Sequence, residues 1–124
     1  MPVSRSRSSA KAAGASFERQ VADYLRDNWD DRIDRRVRTG AKDKGDIANF
    51  RVAGHRIVLE LKNEAKINLA GWVTEAQLEA ENDGALVGIA VAKRRGKGQP
   101  QDQYCILTLG DLLNLLSHCS PKSD

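Results

Sequence analysis

The chain has 124 residues, 40% apolar and 30% charged, the composition of one globular domain with a single core. No apolar run approaches a membrane span, and the N-terminus "MPVSRSRSSAKAAG" has basic residues without the apolar stretch of a secretory signal. The net charge of +3 understates the segregation of the basic residues. Arg5, Arg7 and Lys11 occupy one segment, Arg32, Arg35, Arg36 and Arg38 a second, and Lys93, Arg94, Arg95 and Lys97 a third. Any one of these could be a solvated loop or tail. Three on one small domain point to a polyanionic partner, with nucleic acid first among the choices.

Residues 1–13 carry no apolar period and read as a disordered basic arm, followed by a single domain over residues 14–124. A helix is predicted over Ser16–Asn28, where Phe17, Val21, Tyr24 and Leu25 recur at helical spacing and Glu18 lies beside the stripe. "DRIDRRV" supplies a first strand through Ile33 and Val37. The polar loop "RTGAKDKG" leads to a second strand, Asp46–Val52. "AGH" turns the chain into a third strand, Arg56–Asn63. Side chains alternate along it, so Ile57, Leu59 and Leu61 take the core face while Val58, Glu60 and Lys62 point the other way, away from the core.

Asn68 caps a second helix over Leu69–Asn82, with Leu69, Trp72, Val73, Ala76 and Ala80 as its apolar stripe. "GALVGIAVA" suits a strand buried on both faces. "KRRGKGQPQD" is a basic loop, "YCILTL" a further strand, and Thr108 with Asp111 opens a last helix over Leu109–Ser117. The order is α-β-β-β-α-β-β-α. Cys105 sits in an apolar run and reads as a core thiol. Together with the absence of metal-ligand spacing at Cys105 and Cys119, this predicts a reducing, cytoplasmic setting.

Asp46 opens one strand and Glu60 lies in its hairpin partner, so the two carboxylates can lie side by side. Such a pair calls for a cation, and hard oxygen ligands suit Mg²⁺ or Mn²⁺. A divalent ion beside a lysine is the equipment of phosphodiester hydrolysis. A bland reading stands beside this one. Glu-x-Lys on a strand is commonly a surface cross-strand pair, and Asp46 after Gly45 can be a turn residue.

Gly45-Asp46 followed by Glu60-Leu61-Lys62 resembles the acids and lysine of the PD-(D/E)xK nucleases, with glycine where the family name has proline. "GASFE" (Gly14, Phe17, Glu18) and "NLAGWVTEAQLEA…VAKRRGKG" resemble, more narrowly, Holliday junction resolvases of the archaeal and phage-borne types. The resemblance covers nearly the whole chain after the arm. It implies an α/β fold with a restriction-endonuclease-like αβββαβ core, a central mixed sheet flanked by helices, and here an extra C-terminal strand and helix. It implies Glu18, Asp46 and Glu60 as ligands of Mg²⁺, with Mn²⁺ as substitute, and Lys62 as the residue that positions water. Gln77 matches a position where related nucleases place a polar residue near the metal, although an exposed glutamine is an equal reading. The implied activity is cleavage of four-way DNA junctions by a homodimer, without an organic cofactor, in the cytoplasm (the host's, for a phage protein).

Arg5, Arg7, Lys11, Arg38, Lys42, Lys44, Lys93, Arg94, Arg95 and Lys97 are the predicted phosphate contacts. Leu115 falls off the main face of the last helix and is a candidate subunit contact. The substrate range of such folds also leaves room for another structure-selective or restriction-type nuclease. A basic DNA-binding module with structural acids is the reading outside enzymes.

Overall fold

The computed structural model describes residues 7–36 and 44–119. Among these residues it is an α/β structure of three α-helices and a mixed four-stranded sheet, with a two-stranded piece beside it. Arg5, Val37, Arg38 and Lys42 lie outside the described residues.

Helix α1 runs Arg7–Asn28, longer than predicted. Residues 7–13, expected in the disordered arm, continue the helix instead. Ala10, Ala12 and Ala13 carry it by propensity rather than by packing, since the helix buries only Phe17, Val21 and Ala22. A short strand, β1 (Asp34–Arg35), pairs antiparallel with β2 (Ile47–Ala48). The predicted second strand is broken after Ala48. Asn49 takes φ +68, a left-handed conformation that asparagine tolerates better than most residues. The chain resumes as β3 (Arg51–Val52), antiparallel to β4 (His55–Lys62). Ala53 and Gly54, both at positive φ, form the two-residue turn between β3 and β4.

Helix α2 (Leu69–Asp83) starts where predicted, with the Asn68 side chain accepting from the Gly71 amide at 3.1 Å. It ends at Gly84 in the left-handed region. It carries the chain across to β5 (Val87–Ala92), which pairs parallel with β4 from Ile57–Val87 to Lys62–Ala92. Strand β6 (Tyr104–Ile106) closes the sheet antiparallel to β5, giving the order β3-β4-β5-β6. Helix α3 (Leu109–Cys119) opens with Thr108 Oγ1 accepting from the Asp111 amide, as its sequence predicts. Apart from the break at Asn49, the element order matches the sequence reading.

The sheet is covered on both faces. On one, Phe17, Val21 and Ala22 of α1 pack over Ile57, Leu59 and Leu61 of β4 and Val87, Ile89 and Val91 of β5. On the other, Trp72 of α2 packs over Ala90 and Ala92. Gly88 is the residue that lets α2 approach so closely, because a Cβ there would collide with the Ala76 carbonyl. The face of β4 bearing Val58, Glu60 and Lys62 is therefore not outward, as predicted, but buried. Two further expectations are corrected. Cys105 is exposed on the edge strand β6. Leu115 packs toward the core, while Leu109, Leu112, Leu113 and Leu116 are the exposed leucines of α3.

Candidate metal centre

Strand alternation and the α2 crossover together build the site. Glu60 and Lys62 project from β4 toward α2 and are 4% and 8% exposed. Helical spacing puts Glu79 on the same face of α2 as Trp72 and Ala76, and Glu75 one turn before it. One carboxylate oxygen from each of Glu60, Glu75 and Glu79 lies within 4.8 Å of the others, so these three residues could hold a metal ion. Asp46 flanks them from the chain leading into β2. Its Oδ2 accepts from the Leu61 amide at 2.8 Å, and its own amide donates to the Leu59 carbonyl at 3.0 Å. Asp46 is thus clamped against the strand that carries Glu60.

Lys62 is the basic member of the cluster. Its Nζ lies 2.7 Å from Glu75 Oε1, 3.2 Å from Glu60 Oε2 and 3.8 Å from Glu64 Oε2. Burial lowers the lysine value, but the Glu75 bond and then the Glu60 charge and bond outweigh it and hold the ammonium above its ordinary range. Glu60 moves in the opposite sense for an acid. Burial first, then hydrogen bonding with Glu79 and the charge of Asp46, raises it well above the usual carboxylate range. Half-exposed Glu75 is the acid nearest the Lys62 ammonium, and Glu60 is the acid whose charged form burial disfavours most.

The donor set fits a hard divalent cation. Asp46, Glu75 and Glu79 gather around Glu60, and Lys62 lies against Glu60 and Glu75. Buried Glu60 Oε1 accepts no hydrogen bond among the described residues. Oxygen-only ligation is what Mg²⁺ and Mn²⁺ prefer, though the donor set does not choose between them.

Of the residues predicted from sequence, the fold brings Asp46, Glu60 and Lys62 together. Glu18 is not one of the three acids whose oxygens converge. Its Oε1 accepts from Arg35 Nε and Nη2 at 3.3 and 3.2 Å, at the edge of β1. Helix α1 does approach this end of β4, where Asn63 Nδ2 donates to the Ala13 carbonyl at 3.4 Å. Gln77 takes the second of its two readings: it is exposed and donates to Asp111 Oδ2 of α3 at 3.1 Å, away from the carboxylate cluster. Glu75 and Glu79 were missed. Their signal was available, since Glu79 falls in step with Trp72, Ala76 and Ala80 on an otherwise apolar stripe.

The basic residues divide by position. Arg7, Lys11 and Lys44 are exposed. Lys93 spends its ammonium inside its own loop, on the carbonyls of Arg94 and Lys97. Arg94 lies over the Tyr104 ring at 4.5 Å from its centroid, and exposed Arg95 reaches the Ala65 carbonyl at 3.5 Å. Arg5, Arg38 and Lys42 fall outside the described residues. No helix among the described residues is long and apolar enough to cross a membrane. No family model, curated protein or solved structure matches the chain.

Proposed function

We propose that the protein is a divalent-metal-dependent endonuclease of the PD-(D/E)xK type that cuts branched DNA, in the first instance four-way junctions, as a homodimer. The observation that carries this reading is the convergence of Glu60, Glu75 and Glu79 beside Lys62 at the carboxyl end of β4, with Asp46 fastened alongside. The element order, α-β-β-β-α-β once the two short strands on either side of Asn49 are counted as one, the resemblance of "GD…ELK" to that family, and the exposed basic residues support it further.

In this reading Glu60, Glu75 and Glu79 hold the cation and Asp46 adds its charge to the same side. When bound, a divalent ion polarises a phosphodiester and makes hydroxide available near neutral pH. The chain's own residues do the rest. Lys62, held charged by Glu75, keeps a positive group where negative charge grows on the phosphoryl oxygens and orients the attacking water. Glu60 would hold the cation as the carboxylate, so its binding would be favoured by higher pH. Trp72 and Ala76, packed over β4 and β5, exclude bulk water from the inner side. A homodimer follows from the chemistry, since paired nicks on opposing strands need two active sites.

A second reading has its own observation. Lys62 already lies against Glu60 and Glu75, so the acids could be a neutralised structural network in a basic DNA-binding module. A panel of four-way junction, flap, duplex and single-stranded substrates, each with Mg²⁺, Mn²⁺, Ca²⁺ or excess chelator, separates the readings. The endonuclease cuts the junction in paired nicks with Mg²⁺ or Mn²⁺ and is silent in chelator. Binding without cleavage under every metal favours the module, and cutting in excess chelator overturns the metal-dependent mechanism.

A further inference from the structure

A groove of about 560 Å³ lies next to the carboxylate cluster, at the carboxyl ends of the parallel strands β4 and β5. The two strand ends are tied together there, the Lys93 amide donating to the Lys62 carbonyl at 2.9 Å. The crevice beyond the carboxyl ends of parallel strands is where open α/β sheets take their ligands. The size falls within the about 300–1,000 Å³ of small-ligand clefts. Its floor is Trp72 and Ala92. Ile67, just before α2, Leu69, its first residue, and Tyr104 of β6 stand around it, and they are 71%, 51% and 57% exposed. Exposed apolar groups gathered around one concavity mark a binding surface rather than scattered surface residues. Lys93, Arg94 and Arg95 form the rim on the β5 side. Arg94 stacks on Tyr104, so a flat cationic surface adjoins a flat aromatic one.

An occupant must be flat and apolar in one part and anionic in another. We infer that this groove seats unpaired nucleotides of a DNA strand, with a base against Tyr104, Ile67 and Leu69 and the flanking phosphates on Arg94 and Arg95. Stacking on aromatic residues combined with a basic track is how single strands are held without sequence preference. Double-helical DNA keeps its base faces stacked on one another and presents none to Tyr104 or Ile67. The inference builds on the endonuclease reading in one respect: it makes the strand entering the site locally unpaired, as in a flap or in a junction whose centre is opened on binding.

The test is a binding measurement in excess chelator, independent of cleavage. The full-length protein is titrated against fluorescein-labelled oligothymidylate and against a blunt duplex of equal length. Ile67→Glu and Tyr104→Ala alter exposed side chains. Each is expected to weaken single-strand binding by about tenfold or more while changing duplex binding by less than about twofold. Equal losses on both substrates, unchanged single-strand affinity, or no single-strand binding by the parent protein overturns the inference. Should a variant fail to fold, photo-crosslinking of the parent protein to a single strand containing 5-iododeoxyuridine decides. Adducts on residues 63–72 or 92–106 uphold the groove, and adducts confined to other segments overturn it. A protein that binds single strands in this way yet never cleaves DNA keeps the groove and loses the nuclease.

Discussion

Lys62 of β4 and Glu75 of α2 meet across the inner face of the sheet, with Nζ 2.7 Å from Oε1. The bond joins the only helix on that side to the strand carrying Glu60, among the described residues. It also sets a competition, because a metal ion using Glu75 takes an acceptor from Lys62.

Glu75→Gln should therefore act on metal more than on folding. Lys62 is buried, but glutamine keeps an acceptor toward it and Glu60 remains 3.2 Å away, so the loss of stability is limited. Its melting temperature should fall only slightly below that of the parent protein. Mn²⁺ affinity, read by calorimetry, should fall by about tenfold or more, as losses of groups around a metal commonly do. An unchanged Mn²⁺ affinity would remove Glu75 from the ligand set.

Gly88→Ala should be among the most damaging small substitutions in the chain. Its Cβ meets the Ala76 carbonyl, a backbone group with no room to give, and the Ala80 methyl lies at 3.2 Å. Overpacking of this kind costs about 1–3 kcal/mol, and the backbone collision places Gly88 at the upper end. Gly98→Ala, which meets open space, is the control. Urea denaturation of the two variants should separate them by more than about 1 kcal/mol. Near-equal midpoints would mean that α2 sits farther from β5.

The contrast between Gly88 and Glu60 shows how far the sequence could be read. Helical and strand periods exposed the order of elements, and Asn68 and Thr108 marked two helix starts. Alternation also assigned Glu60 and Lys62 to the face opposite Leu59 and Leu61. It could not say what covers that face. The cover comes from α2, fifteen residues of chain that no local pattern docks, and the close approach depends on a glycine within an apolar run. The break at Asn49 was hidden because Ile47–Val52 reads as an unbroken strand. The extension of α1 to Arg7 was hidden because alanine propensity leaves no apolar period. Cys105 looked buried by its neighbours in sequence, while its place on the edge strand β6 is a property of strand order.

Gly45 stands where the resembling family carries proline, and its geometry explains the difference. Its φ is +91, out of reach for proline, whose ring holds φ near about −65°. A Cβ there would lie 2.8 Å from Val58 Cγ1 and 3.2 Å from the Leu59 carbonyl. Gly45→Ala should cost about 1–2 kcal/mol from the backbone alone, with the Val58 contact added. The displacement would be felt at Asp46, the next residue, whose carboxylate is fastened to the Leu61 amide. Denaturant unfolding together with metal-dependent cleavage is the measurement. Full stability in Gly45→Pro would contradict this conformation of the chain.

Glu60→Gln should stabilise the metal-free protein, and more so as pH rises. Burial, the Glu79 bond and the Asp46 charge raise the folded-state value of Glu60 above its ordinary 4.5. A group raised on folding contributes stability that is fully present below its unfolded value and is lost as pH climbs toward the folded one. The parent protein therefore gives up stability from about pH 4.5 upward through neutral, as the unfolded chain ionises Glu60 and the folded chain resists doing so. Glutamine keeps the shape and cannot titrate. The melting-temperature gain of Glu60→Gln over the parent, measured in chelator, should be small at pH 5 and larger at pH 8. Metal inverts the order. A divalent ion held through Glu60 would stabilise the folded state by mass action, so saturating Mn²⁺ should raise the melting temperature of the parent well above that of the variant. The same proton competition makes Mn²⁺ bind the parent more tightly at pH 8 than at pH 6. A Glu60→Gln gain that shrinks with rising pH would mean that Glu60 is ionised in the folded protein and that Lys62 alone satisfies it.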